Sequence, residues 1–452
     1  MSNLLALLSQ ASSSLGAASA WSATAGHNLQ NLGTVGYARQ RVTLVASDAQ
    51  RLAWGWLGAG VAVQGIGQIR DRFLEAQLPA SLAAEASARA EAEALRAVRV
   101  FDTDLAGGLS DALSTFYGKL RSLSTRPDDP VLRAEALRAA EGLARSFQRT
   151  AGGIRGAQEA LDLQLRDTLP SVGDAAARFA DLNRQIRAAS AGGAPPNDLL
   201  DARQRLQDEL VARTGATPVQ ESNGDVHLLL PGGQALVSGT AAGRLTAAPD
   251  PANGGLLALQ IDPPGTAVRS LGGSLGGLLA ARDGALAEAA SALDRLAWDL
   301  GSALNAIHAA GTGTDGSTGL DLFSLGPSAA GAAARIAVAL SDPAQLATAG
   351  VGAGSGDGTN LLALIATETS ADPAGTLGSI IAAFGGAAAR AATAADHEGA
   401  ILDNLQALRE SVSGVSLDEE LIELTRAQRS YEAVSKVIQA TDAMLETLLQ
   451  LK

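Results

Sequence analysis

Residues 1–41, MSNLLALLSQASSSLGAASAWSATAGHNLQNLGTVGYARQR, decide how this chain is read. Leu4, Leu8, Ala11, Leu15, Ala18, Ser22, Ala25 and Leu29 step alternately by four and three residues. That is the spacing of a coiled-coil seam, kept for about four heptads. The first charged side chain is Arg39 and the first acidic one is Asp48. An outer face of Ser, Gln, Thr and Ala lacks the Lys and Glu that support a lone solvated helix through i,i+4 pairs. The stretch also lacks the unbroken apolar run of about 20 residues that a bilayer needs. Such a helix is expected to have partners on more than one side. The competing reading is a frayed, Ala-rich N-terminus.

The other end of the chain carries a matching pattern. After Ser413-Gly414, a final helix places Leu424, Ala427, Tyr431, Val434, Ile438, Thr441, Leu445 and Leu448 at steps of three and four. Tyr431 reads as a core aromatic on that seam. Asp418, Glu419, Glu420, Glu423, Glu432, Asp442 and Glu446 supply the solubility that the first helix lacks. Pairing the two ends as a coiled coil is the natural way to bury both seams.

The chain has 452 residues, a formal net charge of −13 and no cysteine. Length suggests two to four domains. The acidic balance argues against a nucleic-acid partner, which requires basic patches. Lack of cysteine excludes a disulfide scaffold and a thiolate metal site, and permits passage into an oxidising environment. Neither a membrane span nor a Sec signal peptide is read: no Lys or Arg precedes the first apolar residues, and no adequate apolar core ends in a cleavage site.

Between the ends, 42–69 reads as irregular or short-strand structure, with Trp54, Trp56, Val61 and Val63 among glycines. Residues 70–124 read as strongly helical, with Pro79 a kink or start. A helix beginning near Val131 runs, with a weak point at Gly152-Gly153, into a second long helix ending near Ser190. Asn197-Asp198-Leu199-Leu200-Asp201-Ala202-Arg203-Gln204-Arg205-Leu206 reads as a capped helix start. Five candidate strands follow, at 217–221, 226–230, 234–237, 256–261 and 267–271, separated by hairpin signals such as Asn223-Gly224 and Gly232-Gly233. They form either a small β-domain or a β-rich loop insertion. Helix returns from Gly272 to about Ala309. A Gly/Ala/Ser-rich interval with one strand, 335–339, comes next, and helix resumes from about Asn360, including 374–412.

Motifs suggestive of chemistry are weak. His308 stands seven residues before Asp315, but it has no second His at i+4 and no convergent ligand set. It is read as a residue of a helix C-terminal turn, favourable against the helix dipole, with Gly311 as a left-handed cap. Asp315-Gly316-Ser317-Thr318-Gly319-Leu320-Asp321 lacks the ligand order and closing Glu of an EF-hand and is read as a turn. Gly272-Gly273-Ser274-Leu275-Gly276-Gly277 lacks the Lys-Ser/Thr of a phosphate loop. No Gly-x-Ser-x-Gly elbow with His and Asp behind it is evident. No catalytic residue, cofactor or metal is assigned.

Asn28-Leu29-Gln30-Asn31, followed by Gly33, Thr34, Gly36 and Tyr37, is a dense helix stop and turn. It resembles the N-terminal motif of the bacterial flagellar axial proteins, the rod, hook and hook-associated proteins. Arg39-Gln40 after Tyr37, the Asn197-to-Leu206 segment, Leu304-Asn305-x-x-His308-x-x-Gly311 with Asp315, Gly316, Gly319 and Phe323, and Ser413-Gly414-Val415-Ser416-Leu417-Asp418-Glu419-Glu420 resemble the hook-associated protein 1 family. Ala38 stands where the family usually has Ser or Thr, and Gly33 where it usually has Asn. Ala427-Gln428-Arg429-Ser430-Tyr431 resembles a C-terminal motif shared by all the axial proteins.

The resemblance implies a structural subunit of the hook–filament junction, exported unprocessed through the flagellar type III apparatus and assembled outside the cell. It implies self-assembly as a helical ring between hook protein and the second hook–filament junction protein, with an export chaperone at the C-terminal helix. A rod or hook protein is the alternative within the superfamily, and a secreted calcium-binding adhesin or enzyme is the alternative outside it.

The expected fold is mainly α, elongated, with terminal helices paired as a coiled coil, a long-helix bundle and a small outer β-domain. The expected divisions are 1–69, 70–215, 216–271, 272–412 with a short insertion at 311–358, and 413–452. The expected assembly interface is Leu4, Leu8, Ala11, Leu15, Ala18, Asn28, Leu29, Asn31, Gly36, Tyr37, Arg39, Leu424, Tyr431, Val434, Ile438, Leu445 and Leu448.

Overall fold

A computed structural model describes residues 2–52, 55–101, 108–193 and 195–450. The chain starts with helix α1 (Ser2–Gln30). Four strands follow: β1 (Gln40–Ala46), β2 (Gln50–Leu52), β3 (Gly55–Leu57) and β4 (Val61–Gln68). β1 pairs antiparallel with β4, Gln40 opposite Gln68, with a bulge between Thr43 and Leu44. Trp54, read as part of this strand region, lies outside the described residues.

Helices α2 (Arg72–Arg96), α3 (Leu109–Ser124), α4 (Pro130–Ser190) and α5 (Asn197–Thr214) form the first part of the body. The helical reading of 70–124 is corrected: α2 ends at Arg96, and the chain turns before α3 begins. Pro79 sits inside α2, whose start is set by Asp71, accepting from the backbone N–H of Phe73 and Leu74.

α4 is one helix of 61 residues, about 90 Å long at 1.5 Å per residue. Its start combines the Asp129 side chain, accepting from Val131 N and Leu132 N, with Pro130 in the first turn. The weak point expected at Gly152-Gly153 is not a break. A Cβ on Gly153 would lie 2.6 Å from Val100 Cγ2, so this glycine leaves a niche for a packed side chain.

Strands β5 (Thr217–Gln220), β6 (Val226–Leu229), β7 (Ala235–Ser238) and β8 (Ala241–Ala242) form an antiparallel sheet in that order. β9 (Arg244–Pro249), β10 (Leu257–Asp262) and β11 (Thr266–Ala267) form a second sheet, with β10 in the middle. β9, which the sequence reading missed, is short on β-branched residues; it forms because β10 offers it a paired edge.

α6 (Gly273–Ala280) leads through a π-turn at Ala281–Ala285 into α7 (Leu286–Ala309). The short elements β12 (Gly311–Thr312), β13 (Phe323–Ser324), α8 (Ala332–Arg335), β14 (Ala337–Val338) and β15 (Ala349–Gly350) follow, then α9 (Thr359–Ser370), α10 (Pro373–Ser413) and α11 (Leu417–Gln450). The strand expected at 335–339 is reduced to β14, because α8 takes its first residue.

The core runs along α4 and α7. Phe116, Phe147, Phe179, Leu143, Leu165, Val172, Leu293 and Leu304 are fully buried, and Phe323 packs edge-on against Phe116. α10 packs against α2 and α7. By length and composition alone, one helical stretch within Thr359–Thr447 is apolar enough to cross a membrane. The neighbouring helices cover one side of α10 and leave Ala382, Ala383 and Ala389 exposed.

Candidate functional site: the polar joint beneath the terminal helices

α1 and α11 pack side by side and run antiparallel: Asn28, near the end of α1, meets Glu420, in the first turn of α11. Ala11, Ala18, Ala25 and Ala427 are buried, while Leu4, Leu8, Leu15, Leu29, Leu424, Val434, Ile438 and Leu445 are half-buried. Thr441 is buried too, so the expected C-terminal period is legible in the burial. Tyr431 is not a core residue in this chain: it is 45% exposed, beside Ser19, Ser22 and Gln428. The side chains beside the ring are small or polar, and the ring lies on the outside of the helix pair. The side chain of Leu448 lies outside the described residues. Leu5, Leu7, Leu421, Ile422, Val437 and Met444 remain exposed, as expected of helices that satisfy each other on one side only.

At the foot of this pair three separated motifs converge. Asn28 is 1% exposed and uses its whole amide. Its Nδ2 donates to Gln40 O at 2.9 Å and Glu420 Oε2 at 3.0 Å. Its Oδ1 accepts from Gln40 N at 3.0 Å and the Tyr37 hydroxyl at 2.7 Å. The hydroxyl has one proton, so His27 Nδ1, 3.1 Å from that oxygen, is the donor there. Burial, then Asp201, Asp198 and Glu420, hold Tyr37 far above the ordinary phenol range, so it stays a donor.

The turn that aims these groups is local. Asn31 Nδ2 donates to His27 O at 3.0 Å, and Thr34 N donates to Asn31 O at 3.0 Å. Gly36 has φ +76°, and a Cβ there would lie 2.7 Å from Arg205 Cγ.

Arg39 closes the joint. Its Nε donates to Glu420 Oε1 at 2.6 Å and its Nη1 to Glu419 Oε2 at 2.5 Å. Its backbone N–H donates to Ser413 O at 2.9 Å. Burial opposes the charge on Arg39, but Glu419 and Glu420 outweigh it and raise the guanidinium pKa.

The strand pair then ties to α5. Gln40 Nε2 donates to Asp198 Oδ1 at 3.2 Å, and Asn197 Nδ2 donates to Ile66 O at 3.0 Å. Asp201 Oδ1 accepts from Gln68 Nε2 and Arg70 Nη2, both at 2.7 Å. Burial pushes the Asp201 carboxyl up, against the pull of Arg70. A cleft of about 650 Å³ beside the joint is lined by Trp21, Thr24, Arg39, Arg41, Glu420 and Glu423.

The other motifs take structural places. His308 is 1% exposed, its Nδ1 lies 2.6 Å from Leu320 O and its Nε2 accepts from Ala347 N at 2.9 Å. It is therefore the Nδ1–H tautomer, and burial lowers its pKa. The expected charge against the helix dipole is corrected accordingly. Gly311 is not a left-handed cap: Ala310 ends α7 in right-handed geometry, and Gly311 opens β12. A Cβ on Gly311 would lie 2.2 Å from Asn360 Nδ2.

Asp315 accepts from Ser317 N at 2.9 Å and Ser317 Oγ at 2.6 Å, a closed turn. The Gly272–Gly277 run is a packing device. A Cβ on Gly277 would lie 2.1 Å from Ser87 O, so α6 and α2 meet backbone to backbone. Among the described residues, no group of three or more His, Asp or Glu is arranged to hold a metal ion.

Sequence reasoning missed the buried arginines. Arg133 is 2% exposed and donates to the carbonyls of Pro127, Pro343, Ala344 and Leu346 and to Thr348 Oγ1. Arg282 joins the π-turn to Asp162 on α4 and to Leu257 O on β10. No local signal separates such an arginine from one on a solvated helix face.

The joint ties the two ends of the chain to its middle through Asn28, Arg39, Gln40, Asp198 and Glu420. The protein is mainly helical, and its two terminal helices pack on each other. Residues 99–323 match the family model for the flagellar hook-associated protein FlgK helical domain, and 409–451 match that for the flagellar basal body rod FlgEFG protein C-terminal region. The chain belongs to the flagellar hook-associated protein FlgK family.

It is 31% identical to flagellar hook-associated protein 1 of Salmonella typhimurium, over 71% of this chain and 59% of that relative's length. It is 24% identical to the Escherichia coli protein of that name, over 99% of this chain and 100% of the relative. The structure of the flagellar hook junction protein FlgK from Burkholderia pseudomallei shares the fold, with a TM-score of 0.67, 17% identity, and coverage of 75% of this chain and 100% of that one.

Proposed function

We propose that this chain is a structural subunit of the bacterial flagellum, placed at the junction between hook and filament and needed for filament assembly and motility. The observation that carries this reading is the antiparallel packing of α1 on α11, with an apolar outer face left over. Neighbouring copies would cover Leu5, Leu7, Ile422 and Met444, and the terminal pair would supercoil as a coiled coil once so covered. Heterologous contacts of this kind extend along an axis instead of closing a dimer.

Within this reading the copies form a helical ring, with hook protein on one side and the second hook–filament junction protein on the other. An export chaperone holds the C-terminal helix before passage through the flagellar type III channel. The family resemblance supports these partners. The role is structural and involves no catalysis.

Deleting the gene and imaging the cells tests the proposal. The expected result is hooks without filaments and flagellin released into the medium; absence of the hook itself would move the protein to the rod or hook. A chain lacking the first forty residues should fail to enter the axial structure. Swimming cells carrying that truncation would refute the reading.

A further inference from the structure

We propose that the groove between α2, α5 and β5 is a binding site for a single carboxylate group, received by Arg203. The groove has a volume of about 960 Å³, and its lining includes Arg72, Glu75, Gln207 and Glu221. Arg203 is 7% exposed. Its Nη1 is spent on Asn183 Oδ1 at 3.0 Å and Gly224 O at 2.8 Å. Among the described residues, its Nε and Nη2 have no hydrogen-bond partner and no carboxylate forms an ion pair with it. The other buried arginine cations of the body are better supplied: Arg282 has Asp162 and Asp283, and Arg133 has a ring of carbonyls.

A buried cation left without a counter-charge is costly, and the deficit is recovered by any anion that reaches it. Burial, then the like charge of Arg70, lowers the Arg203 pKa to about 10, so the group is still charged at neutral pH and still lacks its partner.

The chemistry selects a monoanion. Glu75 and Glu221 stand in the same lining, with Glu75 engaged by Arg70 and Arg409 and Glu221 facing His227. Their charge disfavours a phosphate dianion, while the two adjacent N–H groups of Arg203 match the two oxygens of a carboxylate. Arg72, exposed at the rim, adds attraction without competing for the site.

The test uses the full chain with ¹⁵N-labelled arginine. The Nε–H resonance missing from Arg203→Lys is that of Arg203. Sodium acetate is titrated against sodium chloride at equal ionic strength. The expected result is a saturable shift of that resonance with acetate alone, weakened two- to fivefold in Arg72→Gln. A shift that instead appears on raising the protein concentration, and is reversed by acetate, assigns the carboxylate to an acidic side chain of a second copy. An equal response to chloride, or no saturable response to either acetate or protein concentration, overturns the proposal. Should Arg203→Lys fail to fold, the signal that shifts with acetate is assigned from through-bond spectra of the native chain, and the acetate-against-chloride comparison decides alone.

Discussion

The side-chain amide of Asn28 donates to the carboxylate of Glu420 across 3.0 Å, although 392 positions separate them in the chain. With Tyr37 and Gln40 completing its bonds, Asn28 becomes the point at which the two termini are held in register. Removing it orphans buried groups on both sides. Asn28→Ala is expected to cost about 2–4 kcal/mol in opening of the terminal pair, on the scale of about 1–3 kcal/mol for each buried group left unsatisfied. Hydrogen exchange reads this directly: α1 amides should lose protection by about 30- to 1000-fold, while α4 amides keep theirs.

Arg39 and Glu420 should be coupled. Glu420 is 2% exposed and Arg39 is its direct cationic partner, so losing either leaves a charge poorly matched. Arg39→Met and Glu420→Gln singly are expected to destabilise the pair more than half as much as the double change does. A double-mutant cycle should return an interaction of roughly 1–3 kcal/mol. Strict additivity would show that Glu419 and solvent satisfy both groups independently.

Two glycines separate packing from propensity. Gly277→Ala places a methyl 2.1 Å from Ser87 O and must push α6 from α2, at about 1–3 kcal/mol. Gly142 lies within α4, and a Cβ there meets nothing within 4 Å. Gly142→Ala should therefore stabilise the chain by up to about 1 kcal/mol, the helix preference of Ala over Gly. Thermal unfolding of both variants checks the opposite signs.

His308 gives the fold a pH dependence of known sign. Burial holds its folded pKa below the ordinary histidine value of about 6.5, so below that pH the unfolded chain binds more protons and stability falls as the solution is acidified. Above pH 6.5 the contribution is fully present. The slope attributable to one proton is at most about 1.4 kcal/mol per pH unit. His308→Gln should be less stable at pH 7.5, through lost bonds to Leu320 and Ala347, yet lose less on going to pH 5.5. Denaturant unfolding at the two pH values measures the difference.

Much of the organisation is legible in the residues. The four- and three-residue steps at each end announce helices that need company, and α1 and α11 meet each other. The helix expected to begin near Val131 is α4, which starts at Pro130, and Asn223-Gly224 marks the β5–β6 turn. Local pattern failed where a distant element supplies the reason. Gly152-Gly153 reads as a weakness in a sequence that does not show Val100 packing on it, and β9 carries no strand pattern of its own because its stabilising edge is β10. Tyr431 reads as core from its seam position, but Ser19, Ser22 and Gln428 flank it and the ring stays exposed.

Periodicity, capping residues and composition determined by themselves that this is a chain of long helices with apolar faces at both termini, since those signals act over one or two turns. The tertiary structure alone decided that Asn28, Tyr37 and Arg39 spend their bonds inside the chain, on Glu420 and its neighbours. It also decided that Arg203 is left with an unmatched charge. A hydrogen bond or an ion pair depends on distances of about 3 Å, and separation along the sequence carries no information about those until the helices have packed.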